Sequence, residues 1–215
     1  MKKNYSKKYF EWQKQISRFG GKMNRFKFES YIKSTDRVID YGCGGGYLMK
    51  NINCLEKVGI EINPYARKVA EDNGISVFEN INEVKNNRAD VVISNHTLEH
   101  VENPLQELKN IYKKLKDGGI SVFVVPSESY KLKYKSNDPN HHLYTWSPSA
   151  LGNLFKEAGF IVDSSSPLFH KWPSNYEYIY KLFGEKVFHI ASKVNGYLNR
   201  EVVQIKIIAR KTKAR

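Results

Sequence analysis

The 215-residue chain predicts an α/β fold, a mostly parallel sheet with helices on both faces. Three observations carry that prediction. Short apolar runs alternate with amphipathic segments along the chain. Three helix starts are written as a capping residue followed by proline, at Asn63-Pro64, Asn103-Pro104 and Ser147-Pro148. An apolar strand at Arg37–Tyr41 runs straight into the turn Gly42-Cys43-Gly44-Gly45-Gly46.

The elements follow in order. Residues 5–19 place Tyr5, Tyr9, Trp12, Ile16 and Phe19 on one helical face, and Gly20-Gly21 is expected to end that helix. Met23–Lys33 reads as a second helix. The glycine turn leads into a short helix at Tyr47–Asn53, and a second strand follows at Lys57–Glu61. The helix opened by Asn63-Pro64 closes at Asn73-Gly74. Ile75–Glu79 and Asp90–Ser94 are strands. The helix from Asn103-Pro104 reaches Lys116, where Asp117-Gly118-Gly119 stops it before a strand at Ile120–Val125. After the loop Ser127–Trp146, the helix from Ser147-Pro148 ends at Gly159 and a strand spans Phe160–Asp163. Apolar positions Tyr176, Tyr180, Phe183, Val187, Ile190 and Val194 predict a helix broken near Gly184, and Glu201–Ala209 alternates as a last strand. The expected organisation is a helical cap over 1–35, a nucleotide-binding core over 36–170, a helical insert over 171–200, and a last strand with a basic tail.

No apolar run approaches the ~18 residues of a membrane span, and the start lacks the apolar stretch of a signal peptide. Cys43 and Cys54 have no metal-ligand spacing, so a cytoplasmic setting with free thiols is expected. The net charge of +13 is unevenly placed: +8 over residues 1–37, −2 over 38–127 and +7 over 128–215. Basic flanks around a near-neutral centre suit an anionic partner or a plain solvated surface.

The glycine turn carries the chemistry. Glycines between a strand and a helix let the backbone approach a nucleotide closely. Asp40, in the same turn, would repel a pyrophosphate but attracts a ligand bearing an ammonium and a sulfonium. The third glycine falls at Gly46, whereas the dinucleotide fingerprint needs it where Tyr47 stands. Glu61 ends the second strand about twenty residues on, the position from which a carboxylate reaches ribose hydroxyls.

On these residues the chain resembles the class I S-adenosylmethionine-dependent methyltransferases. Val58-Gly59-Ile60-Glu61-Ile62-Asn63 is similar to their second motif, Ala89–Val101 to their strand-4 region, and Leu115-Lys116-Asp117-Gly118-Gly119 to their turn before strand 5. The resemblance implies a Rossmann-like methyltransferase fold with seven strands, the last antiparallel. It implies S-adenosylmethionine as cofactor and S-adenosylhomocysteine as product. Asp40, Gly42, Cys43 and Gly44 would line the methionine portion, Glu61 would hold the ribose and Ile62 would flank the adenine. Asn80 and Ile81 would contact the adenine ring, and Asn95 and His96 would face the methyl-donor side. Tyr5, Tyr9 and Trp12 would close over the cofactor or simply pack in the core.

The acceptor is less sharply written. No Asn/Asp-Pro-Pro-Tyr/Phe sequence follows strand 4, which argues against amino-group methylation of bases. Glu99-His100-Val101 resembles the ubiquinone-biosynthesis-like group, which mostly methylates hydroxyls of small molecules. Asn140–Pro148 resembles a segment of methyltransferases from surface-polysaccharide clusters. A hydroxyl acceptor needs alignment and a base, so His142, His100 and His141 are the candidate catalytic residues, His142 first. His141, His142 and Asp138 lack the fixed spacing of a metal site, and no metal is expected. The resulting expectation is O-methylation of a sugar or other envelope or secondary metabolite, small or carrier-linked. An RNA methyltransferase using the basic flanks is the alternative. Residues 171–200 read as a lid on the sheet, with a peripheral membrane contact or a dimer contact as alternatives.

Overall fold

A computed structural model describes residues 16–129, 131–138, 140–201 and 203–213. The expected contacts of Tyr5, Tyr9 and Trp12 lie outside these residues. One seven-stranded sheet has the order β3-β2-β1-β4-β5-β7-β6. Its strands are β1 (Arg37–Tyr41), β2 (Glu56–Ile60), β3 (Ser76–Phe78), β4 (Ala89–Asn95), β5 (Leu115–Ser127), β6 (Ile161–Leu168) and β7 (Val203–Arg210). The pairs β1–β2, β2–β3, β1–β4 and β4–β5 are parallel, and β7 runs antiparallel to both β5 and β6. This is the fold class read from the sequence.

The strands of the centre are apolar on both sides because helices cover both faces. Val38, Val91, Ile93, Val122 and Val124 enter one core with Phe28 and Met49. Their neighbours Ile39, Val92, Phe123 and Val125 enter the other with Leu108, Ile111 and Phe155. The alternation is the two-residue period of a strand.

Helix α1 covers residues 16–23, α2 Tyr47–Lys50, α3 Pro64–Asp72, α4 Pro104–Lys114, α5 Pro148–Glu157 and α6 Tyr176–Leu198. The three Xaa-Pro starts behave as cap chemistry dictates. Asn63 accepts from the Tyr65 N–H, Asn103 from Gln106 and Ser147 from Ala150, each with proline in the first turn. Gly20-Gly21 does not end the first helix, which runs on to residue 23. A Cβ at Gly21 would stand 2.5 Å from the Tyr47 carbonyl, so the glycine serves a close approach of α1 to α2. Met23–Lys33 is not a helix either; it holds two 3-10 turns, Arg25–Lys27 and Glu29–Tyr31. α4 stops at Lys114 rather than Lys116, because Leu115 already pairs with Ala89 as the start of β5. β6 likewise continues to Leu168, held by β7.

The apolar stripe of residues 174–194 forms α6, with non-helical backbone at Gly184 where the sequence marked the break. It buries Phe188, Ser192 and Gly196. Tyr178, Leu182, Phe183, Ile190, Val194 and Leu198 remain more than half exposed, so the helix is not simply a lid packed on the sheet. No helix among the described residues is long and apolar enough to cross a membrane.

Candidate functional site: a cofactor cleft and an adjoining histidine cluster

The strand order reverses between β1 and β4, and the crevice beyond their carboxyl ends is where α/β sheets bind ligands. The glycine turn fills its floor. Gly42 and Cys43 both donate their N–H to the Ile60 carbonyl, at 2.8 and 3.0 Å, which ties the turn to the end of β2. Gly42 and Gly44 have positive φ of 81° and 53°. A Cβ at Gly42 would lie 2.0 Å from the Thr97 hydroxyl, whereas one at Gly44 would meet nothing within 4 Å. Gly42 is thus required by packing, and Gly44 opens onto the cleft.

The cleft has a volume of about 790 Å³. Asp40, Gly42, Cys43, Gly44, Glu61, Ile62, Asn80, Ile81, Asn95 and His96 all line it, as does His100. Glu61 braces the turn: its Oε2 accepts from the Gly44 N–H at 2.9 Å and its Oε1 from the Asn63 N–H at 2.8 Å. Burial raises its pKa, while these two N–H groups and Arg67 pull it back. Asp40 is 2% exposed, and its carboxylate accepts no hydrogen bond from a described residue. Burial, reinforced by Glu61, pushes its pKa up to about 7. A buried carboxylate without donors suits a cationic ligand, the property that an ammonium and a sulfonium offer.

Cys43 is buried and its thiol pKa is driven well up, first by burial and then by Asp40 and Glu61. It is therefore a packing residue under Gly59 and no nucleophile. Asn80 caps the 3-10 turn Ile81–Glu83 through its Oδ1, which accepts from the Asn82 N–H.

On the other side of β4 the loop after β5 folds back. His142 Nδ1 lies 2.7 Å from Glu128 Oε1, and its ring meets that of His100 edge-on at 4.9 Å. Burial lowers the His100 pKa, with His142 and His96 acting in the same direction and Glu99 opposing. His141 is exposed with φ 49°; its backbone hydrogen-bonds the His100 ring and raises that pKa, but its own imidazole joins no cluster. Asp138 turns back to accept from the Asn140 N–H. The trio Asp138, His141 and His142 is not assembled. The ligand atoms of Glu99, His100 and His142 do converge, within 4.8 Å of one another, and could hold a metal ion. Glu99 is fully buried, and neither carboxylate oxygen accepts a hydrogen bond from a described residue. The nearest imidazole nitrogens are His96 Nδ1 at 3.6 Å and His100 Nε2 at 4.0 Å.

Three participants escaped the sequence reading. Glu128 orients His142 from fourteen residues away, and nothing local marks it. Glu99 was legible as a motif but not as a buried acid. Lys27 is 2% exposed beside Asn95, although lysine spacing alone gives no sign of burial.

Comparison with known proteins identifies the family and the fold. A methyltransferase-domain family model matches residues 5–165. A ubiquinone biosynthesis O-methyltransferase of Rickettsia canadensis is 27% identical over 130 residues, 55% of this chain and 55% of that protein. The chain thus spans about half the length of the curated relatives it matches. A SAM-dependent methyltransferase from Archaeoglobus fulgidus superposes with a TM-score of 0.66 at 24% identity, over 94% of this chain and 99% of its own. A phosphoethanolamine N-methyltransferase of Haemonchus contortus, in complex with S-adenosylmethionine, gives 0.63 at 16% identity, over 89% and 52%. At these identities the solved structures speak for the fold alone. With the family match over most of its length and a cleft built for a cationic nucleotide, the chain belongs to the methyltransferase-domain family, as a class I S-adenosylmethionine-dependent methyltransferase.

Proposed function

We propose that this protein methylates a hydroxyl group of a small or carrier-linked acceptor, a sugar or another envelope or secondary metabolite. S-adenosylmethionine supplies an electrophilic methyl group on its sulfonium. Asp40 and Gly44 hold its methionine portion in this reading, Glu61 its ribose, and Ile62, Asn80 and Ile81 its adenine. Asn95 and His96 close the cleft at the end where the acceptor enters.

The observation that supports a hydroxyl acceptor is the Glu128–His142–His100 arrangement. A carboxylate 2.7 Å from Nδ1 fixes the His142 ring, leaving Nε2 as the proton acceptor. The partial burial of His100 keeps a second imidazole neutral beside it. An unactivated alcohol requires such a base, worth about 10²–10⁴ in rate.

Release of S-adenosylhomocysteine measured against hydroxyl and amine acceptors tests the reading. His142→Gln is expected to lower kcat on the hydroxyl acceptor by about 10²-fold or more, with product affinity unchanged. Turnover of amines alone, or a variant within threefold of the parent, would overturn it.

A further inference from the structure

A second cavity, of about 300 Å³, adjoins the cofactor cleft. The two share a wall formed by Asn24, Asn95, His96 and Trp172. Lys27 lines the second cavity from the 3-10 turn Arg25–Lys27. We propose that this cavity seats the anionic end of the acceptor, with Lys27 anchoring its carboxylate or phosphate, while the reacting hydroxyl reaches past the Asn95–His96 wall into the cleft that His100 lines. The proposal rests on the methyl-transfer reading above and adds the charge of the substrate to it.

The geometry leaves Lys27 short of an anion. Its Nζ donates to Asn95 Oδ1 at 2.9 Å and to Gln204 Oε1 at 2.6 Å, both neutral amides. No carboxylate pairs with it among the described residues, yet it is 2% exposed. An ammonium has three N–H groups, and two are used. A buried amine without a counter-charge is costly unless it is neutral or finds an anion. Burial together with Lys206 brings its pKa down to about 7, so an arriving anion would restore the ammonium.

His170 lines the same cavity. It is 3% exposed, and its Nε2 lies 3.0 Å from His189 Nδ1. Its Nδ1 is buried and finds no side-chain partner among the described residues. In the tautomer that accepts from His189, that nitrogen carries the proton. Phe169 and Trp172 supply apolar wall on either side. Asn95 links the two sites physically, since it bonds Lys27 and also faces the cleft. An anion held at Lys27 therefore places the body of a small acceptor against the cofactor wall.

Calorimetry on the protein saturated with S-adenosylhomocysteine tests this, with benzoate, phenyl phosphate and the neutral isostere benzamide as probes. At least one anion is expected to bind about tenfold or more tighter than benzamide, the size of a charge-assisted hydrogen bond. Which of the two wins separates a carboxylate from a phosphate acceptor. Lys27→Met removes the advantage. Gln204→Glu does the same without deleting the lysine, because it supplies a counter-charge beside Nζ. Both variants keep affinity for S-adenosylhomocysteine within about threefold, which reports an intact fold. Equal binding of benzamide, no binding of any probe, or an anion preference that survives both variants would overturn the proposal. Failure of the parent to bind S-adenosylhomocysteine would instead overturn the assignment of the cofactor cleft.

Discussion

Asp40→Asn should make the ligand-free protein more stable at alkaline pH while damaging its cofactor site. The Asp40 carboxyl is buried in β1 and raised from 3.8 to about 7. Because the folded value lies above the unfolded one, ionisation opposes folding. The penalty is absent below pH 3.8, grows by about 1.4 kcal/mol per pH unit, and is complete above pH 7, at about 4 kcal/mol. Asparagine has the same shape and no charge, but its buried amide lacks partners and costs about 1–2 kcal/mol. The variant is therefore expected to lose stability near pH 4 and to gain about 2–3 kcal/mol at pH 8. Urea unfolding of both proteins at pH 4.5, 6, 7 and 8 measures the difference. A difference that stays flat with pH would refute the reasoning. Cofactor binding should move the other way. S-adenosylmethionine carries one positive charge more than S-adenosylhomocysteine at the sulfonium, so the variant should weaken the first more than the second. In the parent, binding below pH 7 should release a proton, which calorimetry in buffers of different ionisation enthalpy detects.

Two further substitutions test the frame around the cleft. Glu61→Ala removes the carboxylate that holds the Gly44 and Asn63 N–H groups, so affinity for S-adenosylhomocysteine should fall about tenfold or more by calorimetry. An affinity within threefold would mean that the end of β2 does not hold the ribose. Gly21→Ala sets two effects against each other. Alanine gains about 1 kcal/mol as a helix former, but its Cβ meets the Tyr47 carbonyl at 2.5 Å, and overpacking costs about 1–3 kcal/mol. A net loss in urea unfolding is expected; a gain would show that α1 can back away from α2 freely.

The contrast between Gly21 and the proline starts explains how far the sequence was legible. A cap is a local bargain between one side chain and the N–H groups of the next turn, so Asn63, Asn103 and Ser147 declare themselves in the sequence. Gly20-Gly21 looks locally like a helix stop, and the reason it is not one lies 26 residues away at Tyr47. Leu115–Gly119 reads as a helix end for the same reason: its pairing with Ala89 is a tertiary fact. The cofactor cleft was legible because its parts sit on two strand ends and a turn, at spacings that the backbone path fixes. The proposed acceptor side draws on Lys27, Glu99, Glu128, His142, His170 and Gln204, which no short-range period connects. Burial gives Lys27, Glu99 and His170 their character, and burial is invisible in a list of residues that are usually exposed.

The two halves of the site also differ in sign, and that difference bears on turnover. On one side of the Asn95–His96 wall, buried Asp40 and half-buried Glu61 are carboxylates that favour a cation. On the other, Lys27 is a buried amine that faces no acid among the described residues, with Lys206 adding positive potential. A cationic donor and an anionic acceptor would each be stable on one side only, which sorts the two ligands before any contact with the reacting atoms. Methyl transfer removes the sulfonium charge, so in the proposed arrangement the attraction of Asp40 for the donor would weaken once the reaction is complete. The residual ammonium keeps the product bound, but less tightly than the substrate. A carboxylate poised near pH 7 then takes up a proton more easily as the product leaves, and the empty cleft returns to its less costly state.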